Sequence, residues 1–294
     1  MFRRKTKGDI IFEFVNTTLL TIIFIAILYP LIFVVSASIS DTMEVMKGNV
    51  VLLPRKISFD AYARVFRDDS IMIGYRNTII YTVLGTILNV SLTLLAAYPL
   101  SRKDFIGAKL FTILMTITMF FGGGMIPTYL VYQNLGLVGN PLTLVIRGAI
   151  SVWNIIITRT FLEGIPYSLQ EAAFIDGCSN MKVFRQIILP LSKPVIATMV
   201  LFYGVFHWND FMGALLYIDE EKFYPLQLVL RNIMLQGEME SFTDNASESL
   251  AKQQMLIEGI RYSVIVVASV PVLVLYPFLQ KYFAQGMTVG AVKG

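Results

Sequence analysis

Six apolar stretches, each long enough to cross a bilayer, set the limits on what this chain can fold into. They run approximately Phe14–Val35, Ile79–Leu100, Leu110–Leu130, Leu142–Leu162, Val195–Ile218 and Tyr262–Phe283. A helix needs about 20 apolar residues to span hydrocarbon. Each backbone polar group must also find its partner inside the segment, because lipid offers none. The expected fold is therefore an all-α membrane protein with six transmembrane helices. Only 15% of the residues are charged and the mean hydropathy is +0.66, against about 25% charge in soluble domains. The net charge of +4 and pI near 9.0 raise the possibility of a nucleic-acid partner. The basic residues are scattered between apolar runs rather than gathered with aromatics on one face, so no nucleic acid is expected and the bilayer is the partner.

Arg3, Arg4 and Lys5 precede the first stretch and Ser36-Ala37-Ser38 follow it, which is the outline of a cleavable signal. Its apolar run exceeds the roughly 7–15 residues of a signal core, so an uncleaved first span is expected. Basic residues are retained on the cytoplasmic side of short connections. A cytoplasmic N-terminus places thirteen Lys and Arg inside and eight outside. Residues 37–70 and 219–258 then form outer loops. The first holds Phe59, Tyr62, Val65 and Phe66 at helical spacing, as in an amphipathic helix lying at the interface. The second is rich in acidic and polar residues, including Glu238, Glu240, Asp244 and Glu248, and reads as a solvated loop with a short helix.

Cys178 is the only cysteine and His207 the only histidine. Disulfides within the chain, cysteine clusters for zinc and paired-His metal sites are excluded, and no metal is expected. Asn89, Asn154, His207, Trp208, Asn209 and Asp210 are polar groups in or near apolar runs. There they line a pathway or fix the bundle through hydrogen bonds between helices. Arg76, Arg147 and Arg261 fall near outer span ends, where long stems snorkel to headgroups; the alternative is attraction of an acidic sugar. Gly122 to Gly124 with Pro127 mark either a break in the third span or close helix packing.

The connection at 166–194 is the most informative. Ser168 and Glu171 have capping-box spacing, predicting a helix from Leu169. Asp176-Gly177 ends it through a left-handed glycine, and Ser179 caps a second helix running to Leu189, stopped by Pro190 and Pro194. The expected product is a helical hairpin showing Ala172 and Ala173 to a close partner.

Within it, Glu171, Ala172, Ala173, Gly177, Ile187, Leu189 and Pro190 supply the pattern Glu-Ala-Ala, three residues, Gly, nine residues, Ile, any residue, Leu, Pro. This resembles the coupling loop of permease subunits of bacterial binding-protein-dependent ABC importers. The segments Asn77-Thr78, Leu95 to Arg102, Trp208-Asn209-Asp210-Phe211 and Gly286 to Gly294 are similar to the carbohydrate-uptake branch, in particular its maltose-type second permease. Gly122 to Tyr129 is similar to a subgroup handling oligosaccharides or polysaccharide fragments. The acidic segment Gly237–Ser249 departs from the pattern.

The resemblance implies a type I importer permease in the bacterial cytoplasmic membrane, with a cytoplasmic coupling hairpin in which Glu171, Ala172, Ala173, Asp176, Gly177, Ile187, Leu189 and Pro190 meet the ATPase. It implies a second, different permease, two ATPase subunits, an extracytoplasmic solute-binding protein and a sugar substrate. The chain carries no Gly-x-x-x-x-Gly-Lys-Ser/Thr phosphate loop. ATP and magnesium are therefore expected in the partner subunits, with no cofactor and no catalytic residue in this chain. A non-sugar solute is the alternative cargo. A secondary transporter is the rival class, disfavoured by the missing inverted repeat, and one His, one Cys and no clustered carboxylates leave little for a membrane enzyme.

Overall fold

A computed structural model describes residues 6–241, 259–274 and 277. All the named secondary structure in these residues is helical. Residues 1–5, most of the acidic segment Gly237–Ser249 (242–249) and the terminal Gly286 to Gly294 lie outside the described residues. Two compact units emerge, Met1–Asp69 with Asn232–Ser269, and Ser70–Arg231 with Val270–Gly294.

In the first unit, α1 covers Lys7–Ser38. The Thr6 hydroxyl accepts from the Asp9 backbone, while the Asp9 carboxylate accepts from the Thr6 N–H. That reciprocal cap satisfies two helix-start amides. Two short helices follow, α2 (Thr42–Met46) and α3 (Asp60–Val65). In α3 Val65 is buried while the flanking Phe59 and Phe66 are exposed, so the four aromatic and apolar residues expected on one open face are divided between core and surface.

The second unit opens with α4, Asp69–Ser101; among the described residues it and α1 are long and apolar enough to span by themselves. The third stretch is broken. α5 (Ala108–Phe120) and α6 (Met125–Asn134) meet at 111°, across glycines of which Gly124 has φ +84°, a conformation that costs glycine nothing. The fourth stretch is interrupted as well, against expectation: α7 is Leu142–Ile146 and α8 is Val152–Glu163. Arg147 leaves the helix in extended conformation, Gly148 takes φ +71°, and Ser151 caps α8 through the Asn154 N–H.

The hairpin helices are α9 (Tyr167–Ile175) and α10 (Asn180–Leu191). α11 (Lys193–Trp208) follows α10 at a 79° bend, and α12 is Met212–Tyr217. The fifth stretch therefore ends its first helix at Trp208 rather than running unbroken to Ile218. The connection at 219–258, expected as a solvated loop, is helical in part. Leu226–Ser241 forms α13, with Leu226, Leu228, Val229 and Leu230 buried. Its start docks on α4, where Thr78 Oγ1 accepts from the Leu226 N–H at 2.8 Å and Asn77 Nδ2 donates to the carbonyls of Lys222 and Tyr224. The sixth stretch enters the described residues as Gly259–Val274, α14.

Candidate functional site

Two constellations lie in the second unit. The first is the hairpin. α9 starts at Tyr167 with Pro166 at its cap and no side-chain capping bond. The expected box between Ser168 and Glu171 is absent because the helix begins before Ser168, which leaves its hydroxyl inside the first turn instead of at the cap. The turn itself is as expected: Gly177 has φ +77° and the Cys178 N–H reaches the Ala173 carbonyl at 2.9 Å. Ser179 caps α10 through the Lys182 N–H.

Pro190 does not stop α10. The helix widens to π geometry over Phe184–Ile188, with the Leu189 N–H bonding to the Phe184 carbonyl. The helix therefore passes through Pro190 and breaks at Ser192, whose N–H and hydroxyl both reach the Ile188 carbonyl.

Glu171, Ala172, Asp176, Gly177 and Pro190 are exposed, and Ile187 and Leu189 half-buried. Ala173 is not offered to a partner; it packs into a core with Tyr98, Leu162, Val183, Phe184 and Ile188. Ile175, by contrast, is 86% exposed at the hairpin tip.

Arg102 attaches this hairpin to the end of α4, a role sequence reasoning missed. Its guanidinium forms a fork with Asp104, donates to Asn180 Oδ1 at 2.5 Å and to the Tyr98 hydroxyl at 3.3 Å, and stacks 5.0 Å from the Phe174 ring centroid. Hydrogen bonding between the two raises the Arg102 pKa and holds the Asp104 carboxyl below the usual carboxylate range. Its place at the end of the Leu95-to-Arg102 motif was the available signal.

The second constellation gathers around the breaks at 147–151 and 209–211. Asn89 on α4 donates to the Gly148 carbonyl at 3.0 Å and lies 3.3 Å from His207 Nε2. Asp210 pairs with Arg147 and accepts the Gly213 N–H at 2.9 Å through the same oxygen. Arg147 is therefore a counter-ion rather than a snorkelling surface residue. Trp208 is buried edge-on to Tyr75 at 5.7 Å, and Asn209 is exposed. Asn154 is buried on α8, but no hydrogen bond among the described residues ties it to Asn89, His207 or Asp210.

Gly85 faces the His207 ring so closely that a Cβ there would overlap it, whereas a Cβ on Gly204 meets nothing nearer than 3.9 Å. Gly85→Ala should therefore destabilise the chain by about 1–3 kcal/mol through overpacking, while Gly204→Ala should be nearly neutral. Thermal unfolding in detergent measures both.

Three comparisons bear on this arrangement. The chain matches the family described as "Binding-protein-dependent transport system inner membrane component" over residues 2–289. It is 42% identical over 267 residues to the polygalacturonan/rhamnogalacturonan transport system permease protein YtcP of Bacillus subtilis, covering 90% of this chain and 92% of that one. Protein LplC of the same organism is 38% identical over 289 residues, covering 98% and 97%. Among solved structures, a bacterial ABC transporter involved in the import of the acidic polysaccharide alginate matches with a TM-score of 0.86 at 34% identity, covering 96% of this chain and 100% of the matched chain.

Proposed function

The chain belongs to the binding-protein-dependent transport system inner membrane component family, and from this premise we propose that it is the translocating permease of an ATP-driven importer for oligosaccharides or polysaccharide fragments. A relative that is a permease protein of a polygalacturonan/rhamnogalacturonan transport system and a solved transporter involved in alginate import support the saccharide cargo. The observation that carries the mechanism is the hairpin. It is a left-handed-glycine turn whose exposed residues include Glu171, Ala172 and Asp176 and the apolar Leu169, Ile175 and Met181, a surface suited to burial against a partner.

In this account residues 166–194 lie in the cytoplasm and meet one of two ATPase subunits, which bind the ATP and magnesium. A second, different permease completes the pathway, and a solute-binding protein docks on the outer side, where residues 37–70 and 219–258 lie. The N-terminus is cytoplasmic. Closure of the ATPases moves the hairpin, and its fastening through Arg102 and its packed core passes that motion to the spans as a two-state change. Of the polar constellation, exposed Asn209 lines the route, while buried Asn89 and His207 hold α4 against the break at 147–151.

Gly177→Val tests the coupling. A β-branched residue at φ +77° costs on the order of 1–3 kcal/mol and re-aims α9. The spans are untouched, so the variant should insert normally. Saccharide uptake should fall, with ATPase subunits copurifying poorly or hydrolysing ATP without transport. Normal copurification together with normal uptake would defeat the assignment.

A further inference from the structure

Arg147 is placed where a span is broken, and its surroundings leave the guanidinium only half engaged. It donates to Asp210 through Nη2 alone, while Arg147 Nε and Asp210 Oδ2 are buried without hydrogen-bond partners among the described residues. Both unpartnered atoms press against Gly213, where any Cβ would collide with them. The guanidinium lies over the Phe206 ring, 5.6 Å from its centroid. Phe206 is 41% exposed, and the Arg147 side chain keeps 25% exposure against 8% for Asp210.

The cation is therefore the accessible member of the pair, and it is backed by an aromatic face of the kind that receives sugar C–H surfaces. A guanidinium offers paired N–H groups that fit both oxygens of one carboxylate, and Asp210 uses only one of them. On release, Asp210 Oδ1 would still keep the Gly213 N–H.

We infer that Arg147 reads the carboxylate of a uronate-containing saccharide, Asp210 occupying the guanidinium as an internal stand-in while the route is empty. This rests on the saccharide-permease reading and adds the charge class of its cargo. Arg147 contacts the sugar; Asp210 is the positioning residue.

The test uses the assembled transporter in proteoliposomes with its binding protein and ATPases, offered trigalacturonate or its neutral methyl ester. The wild-type chain should take up the acid. Arg147→Gln should reduce that uptake by about tenfold or more, one such factor corresponding to roughly 1.4 kcal/mol, and Arg147→Lys should recover part of it. Because Arg147→Gln strands the Asp210 charge, the double variant Arg147→Gln with Asp210→Asn is measured too. It removes both charges, should copurify with its partners, and should remain as defective toward the acid.

Recovery of acid uptake in the double variant would show Arg147 to be only a counter-ion and overturn the inference, as would unaltered uptake in Arg147→Gln or equal failure of Arg147→Lys. ATP-driven uptake of the ester but not the acid by the wild-type chain would overturn it while leaving the permease reading intact. Uptake of neither would count against the saccharide reading itself.

Discussion

Replacing Asp210 with Ala is expected to lower folded stability by about 3 kcal/mol, the low end of the cost of stranding one member of a buried ion pair. The low end applies because Arg147 retains 25% exposure and part of its charge stays solvated. The substitution also deprives the Gly213 N–H of its acceptor at the start of α12. Reduced yield from membranes and a thermal midpoint several degrees lower in detergent are the expected readouts. Combining Asp210→Asn with Arg147→Gln should restore most of the loss, since no unpaired charge then remains. An Asp210→Ala protein as stable as the parent would mean that the pair does not hold the 147–151 and 209–211 breaks together.

Arg102→Ala should have the larger effect on transport. One side chain supplies the fork with Asp104, the bond to Asn180 and the stack on Phe174, and those last two contacts reach both hairpin helices from the end of α4. Without them the hairpin keeps its own core through Val183, Phe184 and Ile188, so assembly should survive. Uptake should drop on the order of tenfold, about 1.4 kcal/mol of lost coupling, while the ATPases continue to turn over. Arg102→Lys should rescue little, because an ammonium cannot hold the planar fork and the ring stack together. Uptake equal to the parent would remove Arg102 from the transmission route.

The hairpin was legible in the sequence because its determinants are local. Gly177 supplies the left-handed turn and Ser179 the cap, each acting within a few residues. Its capping box failed for an equally local reason: Pro166 already opens α9 before Ser168 can serve. The span interruptions were less legible. Apolar residues dominate Leu142 to Ile146 and resume after Gly148, so hydropathy alone bridges a gap that the backbone of Arg147 and Gly148 opens.

Arg147 and Asp210 stand 63 residues apart, and a long cation near a span end is read naturally as snorkelling when its counter-ion is not in view. The start of α13 was missed for a related reason. Polar residues beyond it suggested solvent, while the hydrogen bonds that fasten its start, to the carbonyls of Lys222 and Tyr224 and to the Leu226 N–H, come from Asn77 and Thr78 on α4, a distant part of the sequence.

Under the proposed function this chain conducts a saccharide only when driven by ATP on partner subunits. The most direct test is uptake of labelled trigalacturonate into proteoliposomes containing the chain, its second permease and the ATPases, with the binding protein on one side and ATP on the other. Uptake should require both ATP and the binding protein and disappear when this chain is left out. Uptake of the same sugar by the chain alone, driven by an ion gradient without ATP, would contradict it.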